Sequence, residues 1–350
     1  MKISVNKINI ADQEVHEITL RNKQGMEVSF LTLGGIITKI LVPDRDGNFE
    51  NVVLSHADYE DYIENKGYFG AIIGRTSGRI KNAQFELNGI EYTLTKNYGE
   101  NQGHGGLHGF SRKVFQYETC NLNDNASAKL SYVSPHLEEG YPGEVLVEVM
   151  YSLNDQNEFG ISYEAVPNAD TLINLTNHTY FNLSGSFEES ILYHELMIKA
   201  EKFAEIDDTS APTGELLEVD GTPFDFRYMR EIGEDIKEEH PQLLIGNGYD
   251  HPFLLVHEAS PKVKLAHRFS GRVLEIDSTS ESVVVYTQNY TDNQRIQGGG
   301  ILNNRRSIAL EFQNLPIGIN EVNKENSMIH AGEKYSAKTV YKFKVEQVNV

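Results

Sequence analysis

The sequence predicts an all-β protein, a large antiparallel β-sandwich with few short helices. Three observations carry that expectation. Runs rich in β-branched and aromatic residues recur from end to end. Turn chemistry separates them at short intervals. Helical patterns are scarce and too short to cross repeatedly over a parallel sheet.

Taken in order, Glu27 to Leu33 reads as a strand and Asp44-Arg45-Asp46-Gly47 as a turn. Ala57 to Lys66 is the first of two helical patterns, and Asn88-Gly89 marks a turn. Val145 to Tyr151 is a strand rich in β-branched and aromatic residues. From Leu172 to Leu183, Ile173, Leu175, Phe181 and Leu183 fall on one face, and Asn174, Thr176, His178, Tyr180 and Asn182 on the other. A strand whose second face is entirely hydrogen-bonding lines something polar. Asp220-Gly221 is a turn, and Tyr228 to Glu239 the second helical pattern, in the stretch from Glu205 to Glu239 where acids are densest. Ser282 to Thr287 is a strand, Gln297-Gly298-Gly299-Gly300 a loop, and Ile308 to Gln313 a last half-buried strand with Ala309, Glu311 and Gln313 on one side.

The 350 residues contain no Pro/Ser-rich linker, composition shift or short repeat, which favours one domain spanning 1–350. With 16 Phe and 18 Tyr the chain can build a sizeable core; having no Trp, it must use Tyr or Phe as any aromatic ligand platform. A formal net charge of −20 repels phosphate backbones and anionic lipid surfaces, so no nucleic-acid or membrane partner is expected. The single Cys120 cannot form an internal disulfide, no Cys/His cluster has zinc spacing, and no secretory leader or membrane span is apparent. A cytoplasmic location follows as an expectation.

Three titratable groups stand in unusual settings. His104 sits in Gly103-His104-Gly105-Gly106, where the backbone can approach a ligand closely. The alternative is an ordinary loop histidine, and the glycines argue against a helical metal pair with His108. His178 occupies the polar strand face, whereas a core histidine ordinarily has apolar neighbours at i±2. Glu311, between Leu310 and Phe312, is a part-buried carboxylate that needs a role or a partner such as Arg305 or Arg306. Arg79 could be a turn residue or a fork for hydroxyls, and Asp250 a turn starter or a hydroxyl acceptor.

Several segments, in order, resemble the aldose 1-epimerase (galactose mutarotase) family: Val42-Pro43-Asp44-Arg45, Gly74-Arg75 with Gly78-Arg79-Ile80, His104-Gly105-Gly106 with Gly109-Phe110, and Glu139-Gly140-Tyr141-Pro142-Gly143. The series continues with Asn177-His178, Tyr180-Phe181-Asn182-Leu183, Pro223-Phe224-Asp225-Phe226-Arg227, Asp250-His251-Pro252-Phe253, and Leu310-Glu311 with Gln313. The resemblance implies the mutarotase-like supersandwich, with Glu311 as catalytic base, His178 as catalytic acid and His104 as second histidine near the ring oxygen. Arg79 and Asp250 would hold hydroxyls of a free aldose. No metal or organic cofactor is implied, and the protein would be a monomer or homodimer. Gly78 departs from the family's frequent Asn, Gly103 from its Leu, Val284 from a sugar-contacting Gln and Ile317 from its Asp.

Rival functions are a hexose-phosphate epimerase, for which Arg75, Arg79 and Arg112 are candidate phosphate ligands, a glycoside hydrolase, and a non-catalytic carbohydrate-binding protein. A hydrolase ordinarily uses two carboxylates, whereas the partner of Glu311 here is a histidine.

Overall fold

The computed structural model describes residues 1–347. Three antiparallel sheets dominate. The first, of five strands, is built in sequence order from Lys2–Ile10 to Phe49–Asn51. The second has nine strands and runs from Gln116–Asn121 at one edge to Arg230–Glu231 at the other. The third has six, among them Tyr180–Phe181, Ile308–Gln313, Ser282–Tyr286, Asp250–Leu255 and Ala200–Ile206.

One apolar core is shared by all three: Ile18 and Leu20 enter from the first sheet, Val147, Ile161 and Leu274 from the second, Phe203, Phe253 and Leu310 from the third. Val145–Asn154 shows how the sequence sets this. Its odd-numbered residues from Val145 to Leu153 are buried and the intervening ones at least partly exposed, the period of two that the pleat imposes. Ile308–Gln313 differs, because every residue in it is buried. One of its faces meets the core, and loops roof the other to form a cleft.

The nine-stranded sheet is closed by the last strand, Tyr335–Val345. It pairs with Glu158–Pro167 on one side and Arg272–Ser278 on the other.

Both helical expectations need correction. Ala57 to Lys66 contains only a single 3-10 turn, Tyr59–Tyr62. Tyr228 to Glu239 contains the short strand Arg230–Glu231 and turns, because the backbone N–H groups of Ile232 and Gly233 donate to His194 and Leu192 rather than along a helix. The one α-helix among the described residues follows at Pro241–Gly246, with Pro in its first turn. Of the acids between Glu205 and Glu239, Glu205, Glu215, Glu218 and Glu231 lie on strands and the others on loops and turns.

The run from Leu172 to Leu183 is also not one strand. It breaks into Thr171–Leu172, Thr176–Asn177 and Tyr180–Phe181, which pair with three different segments. Asn174 and Asn182 spend their side chains on backbone groups, of Asn314 and of Glu189 and Arg306. His178 and Tyr180 alone of the polar row line the cleft.

Candidate active site

Strand register brings the two central groups together. Tyr180 pairs with Ala309 and Phe181 with Ile308. Continued two residues further, that antiparallel register sets His178 opposite Glu311, and Nε2 of the imidazole lies 3.3 Å from Oε1 of the carboxylate. The backbone of His178 is pinned on both sides: its N–H donates to Ala71 at 2.9 Å and its carbonyl accepts from Gly70 at 3.0 Å. Across the next strand Val284 faces Glu311, and Asp250 faces Tyr286 one strand further on.

Arg79 and His104 come from the opposite wall. A two-residue ladder pairs Arg79 with Gly103. The next residue, His104, donates its N–H to Gly78 at 2.9 Å and takes a left-handed φ of 51°. Gly105 is obligatory beside it, since a Cβ there would stand 1.8 Å from the Gly74 carbonyl oxygen. Two of the family departures have local causes. A Cβ on Gly103 would lie 2.4 Å from the Tyr98 ring, and one on Gly78 2.5 Å from Pro316. Tyr98 and Pro316 both line the cleft, so they occupy space that larger residues would need.

The result is an open cavity of about 280 Å³ into which Arg79, His104, His178, Asp250, Glu311 and Gln313 all project. All five site residues anticipated from the sequence therefore meet. Tyr68, Tyr98, Tyr180, Tyr286 and Tyr290 supply aromatic wall, together with Phe69. Tyr68 stacks on His178 at 6.0 Å between centroids and leans on His104 at 4.9 Å, and the two imidazoles meet edge to face at 5.2 Å. Sequence reasoning missed Tyr68, Tyr98 and Gln288. No local pattern marks them, because loops fold them over the cleft.

Burial governs the electrostatics. It pushes the Glu311 carboxyl up to about 8, the nearby Asp250 charge adding to the rise and Arg79 opposing it. It pushes the His178 imidazole down to about 3, and His104 well below its usual range with His178 contributing. Asp250 is likewise raised by burial against the pull of Arg79. Between those limits the Glu311–His178 pair carries one exchangeable proton, and neutral and ion-paired forms differ only in where it sits. Glu311 Oε2 and the Nδ1 atoms of both histidines are buried with no hydrogen-bond partner. Buried polar groups are ordinarily paired, so this site holds unused hydrogen-bonding capacity for a ligand.

Neither basic neighbour suggested for Glu311 reaches it: Arg305 is spent on Thr287, Asn289 and Asn247, and Arg306 on Glu188. Arg75 is buried and holds Ser134, Pro135 and Pro142, and Arg112 holds the carbonyls of Ile63 and Glu64. Arg79 and Lys66 are the cations on the cavity wall. Among the described residues, the cluster with metal-ligand spacing is the same His104, His178 and Glu311, whose donor atoms lie within 4.8 Å of one another. Neither imidazole has the second hydrogen bond through Nδ1 that commonly orients a metal-bound histidine.

A carboxylate and an imidazole in contact, in a cleft walled by tyrosines, Arg79 and Asp250, are groups able to move protons on a small polyhydroxylated ligand. The family model described as aldose 1-epimerase matches residues 16–342. A galactose mutarotase of Sus scrofa is 37% identical over 334 residues, covering 95% of this chain and 94% of that protein. An aldose 1-epimerase of Haemophilus influenzae is 35% identical over 93% of this chain and 95% of its own. The crystal structure of a galactose 1-epimerase from Lactobacillus acidophilus superposes with a TM-score of 0.88 at 28% identity, covering 99% of both chains. The chain belongs to the aldose 1-epimerase family, and it is a mutarotase, an isomerase that interconverts the α and β anomers of an aldose.

Proposed function

We propose that Glu311 and His178 carry the proton transfers of this reaction, with a free hexose such as galactose or glucose as substrate. The observation that supports it best is their 3.3 Å contact, with the second oxygen of Glu311 unpartnered. In the ion-paired form Glu311 takes the proton of the C1 hydroxyl while the His178 imidazolium gives its proton to the ring oxygen. The C1–O5 bond breaks and an open-chain aldehyde forms. Glu311 is then protonated and His178 neutral, the form that burial favours. Rotation about C1–C2 presents the other carbonyl face. The C5 hydroxyl attacks it and gives its proton to His178, while Glu311 returns a proton to the new C1 hydroxyl. Each group serves once as acid and once as base, and the enzyme ends as it began. His104 stands beside His178 as a second imidazole near the ring oxygen, and Arg79 and Asp250 act as donor and acceptor for hydroxyls.

The cation count disfavours a phosphorylated substrate, because Arg75 and Arg112 are committed elsewhere. We further propose that residues 1–350 act as a single domain, of which 348–350 lie outside the described residues. The shared core and the central place of Tyr335–Val345 support this. A monomer or homodimer in the cytoplasm completes the proposal.

Polarimetry of fresh α-D-galactose and α-D-glucose tests the chemistry. Faster approach to the unchanged final rotation is expected. A displaced end point or new reducing ends would mean hydrolysis, and no acceleration would mean a binding protein. Light scattering on the eluting protein reads the oligomeric state.

A further inference from the structure

Gln288 is buried, lines the cleft, and belongs to none of the roles assigned above. Its amide orientation is fixed by its partners. The backbone N–H of Arg306 can only donate, and it lies 3.0 Å from Oε1, which also accepts from Ser307 Oγ at 3.2 Å. The NH₂ group is therefore the free end, and it is buried without a partner. The backbone at Gln288 has a φ of 49°, in the left-handed region that favours glycine. A glutamine held there, with its carbonyl clamped by two donors, keeps its NH₂ group in reserve as a donor at the cavity wall.

Its position along the cleft follows from strand geometry. Ser307 immediately precedes Ile308–Gln313, and residues 307, 309, 311 and 313 share a face by the pleat. Four residues of strand separate Ser307 from Glu311, about 13 Å along the chain. The NH₂ group thus lies toward the end of the cleft away from Glu311. Val284, which faces Glu311 directly, offers no donor.

We infer that Gln288 is a specificity-determining residue that donates a hydrogen bond to a hydroxyl on the end of the aldose remote from C1. This rests on Glu311 marking the C1 end, as proposed above. An oxygen acceptor on the substrate satisfies the NH₂ group, whereas a deoxy position leaves it unpaired, so discrimination between them is strong.

Gln288→Met is the decisive variant, because it keeps the length of the side chain and neither donates to nor strongly accepts from a hydroxyl. Mutarotation of galactose, glucose and their 4-deoxy and 6-deoxy analogues is measured for the wild type, Gln288→Met and Gln288→Ala. Both variants are expected to raise KM for the hexoses about tenfold with kcat little changed. For one deoxy analogue, the one lacking the contacted hydroxyl, wild type and variants should have equal KM. An unchanged KM in Gln288→Met, or an equal rise for every analogue, overturns the inference. If Gln288→Ala is too unstable to assay, Gln288→Met alone decides. Failure of the underlying reading looks different: the wild type would then accelerate no aldose.

Discussion

His178 and His267 are both buried, and each faces a glutamate, yet the two pairs are built to opposite ends. In the first, Nε2 lies 3.3 Å from Glu311, both residues are almost wholly enclosed, and Nδ1 and Oε2 are left without partners. In the second, Nε2 lies 2.8 Å from Glu189, whose side chain is 37% exposed, while Nδ1 meets Ser270 at 3.0 Å. Ser270 in turn donates to Leu183, and Leu183 donates to His194, which stacks on His267 at 4.7 Å. Every polar atom of the His267 ring is spent and its carboxylate keeps contact with water, so that pair joins loops. The His178 pair is dry and half-satisfied. The same two residue types make a brace in one place and the proposed acid–base couple in the other, and the difference is the hydrogen bonds left over.

Substitution of the two glutamates should break the comparison most sharply. Glu311→Gln is expected to lower kcat by about 10²-fold or more with little movement of KM, since the lost proton transfer belongs to the transition state. Glu189→Gln should leave kcat as it is. Mutarotation rates of both variants decide, and near-wild-type kcat in Glu311→Gln would remove it from the mechanism. His178→Asn should resemble Glu311→Gln with a smaller loss if His104 relays a proton.

Next in size is the separation of chemistry from binding. Arg79→Ala and Asp250→Asn remove charge-assisted hydrogen bonds present in the ground state as well, so KM should rise roughly tenfold. Initial-rate curves across sugar concentration read this directly, and a pure kcat effect would move these residues into the proton-transfer machinery.

The proton count of the catalytic pair predicts a pH profile. One proton is held between about pH 3, where His178 takes up a second, and about pH 8, where Glu311 gives up the last. kcat/KM should therefore be flat through neutrality and fall as pH rises past about 8. Glu189→Gln should leave that limb in place. A limb centred near the ordinary carboxylate range would show that Glu311 is not held up by burial.

The smallest effect is on stability, and its sign is opposite for the two pairs. The unfolded chain releases the Glu311 proton near 4.5, whereas the folded protein keeps it until about 8. A carboxyl with a raised folded value stabilises at low pH and loses that contribution as pH climbs through the window. At pH 7 the cost is on the order of a few kcal/mol, and Gln does not incur it. Glu311→Gln should raise Tm by a few degrees at neutral pH and by less near pH 4, while Glu189→Gln should lower it. Calorimetry at the two pH values checks both signs.

Much of this was legible in the sequence, for reasons that can be named. The β-branched and aromatic residues of Val145 to Tyr151 and of Ser282 to Thr287 predicted strands, because such side chains suit a pleated, buried surface. Glu311 was readable as a carboxylate needing a purpose, since its apolar neighbours Leu310 and Phe312 marked it as part-buried. The brokenness of Leu172 to Leu183 was not, because three separate pairing partners decide where each short ladder stops. Nor were the absent helices at Ala57 to Lys66 and Tyr228 to Glu239, where tertiary backbone bonds to His194 and Leu192 overrode local pattern in the second. Gln288 was invisible for a simpler reason: its role depends on which of its amide atoms Arg306 occupies.

The placement of Tyr335–Val345 has a consequence for synthesis. Because this strand sits between Glu158–Pro167 and Arg272–Ser278, the nine-stranded sheet stays in two unjoined pieces while the preceding residues emerge from the ribosome. Each piece presents an open edge to its surroundings for that time, and pairings of such sequence separation are slow to form. The nascent chain is therefore most exposed to aggregation just before its final strand is made, and chaperones that shield strand edges would matter most at that moment.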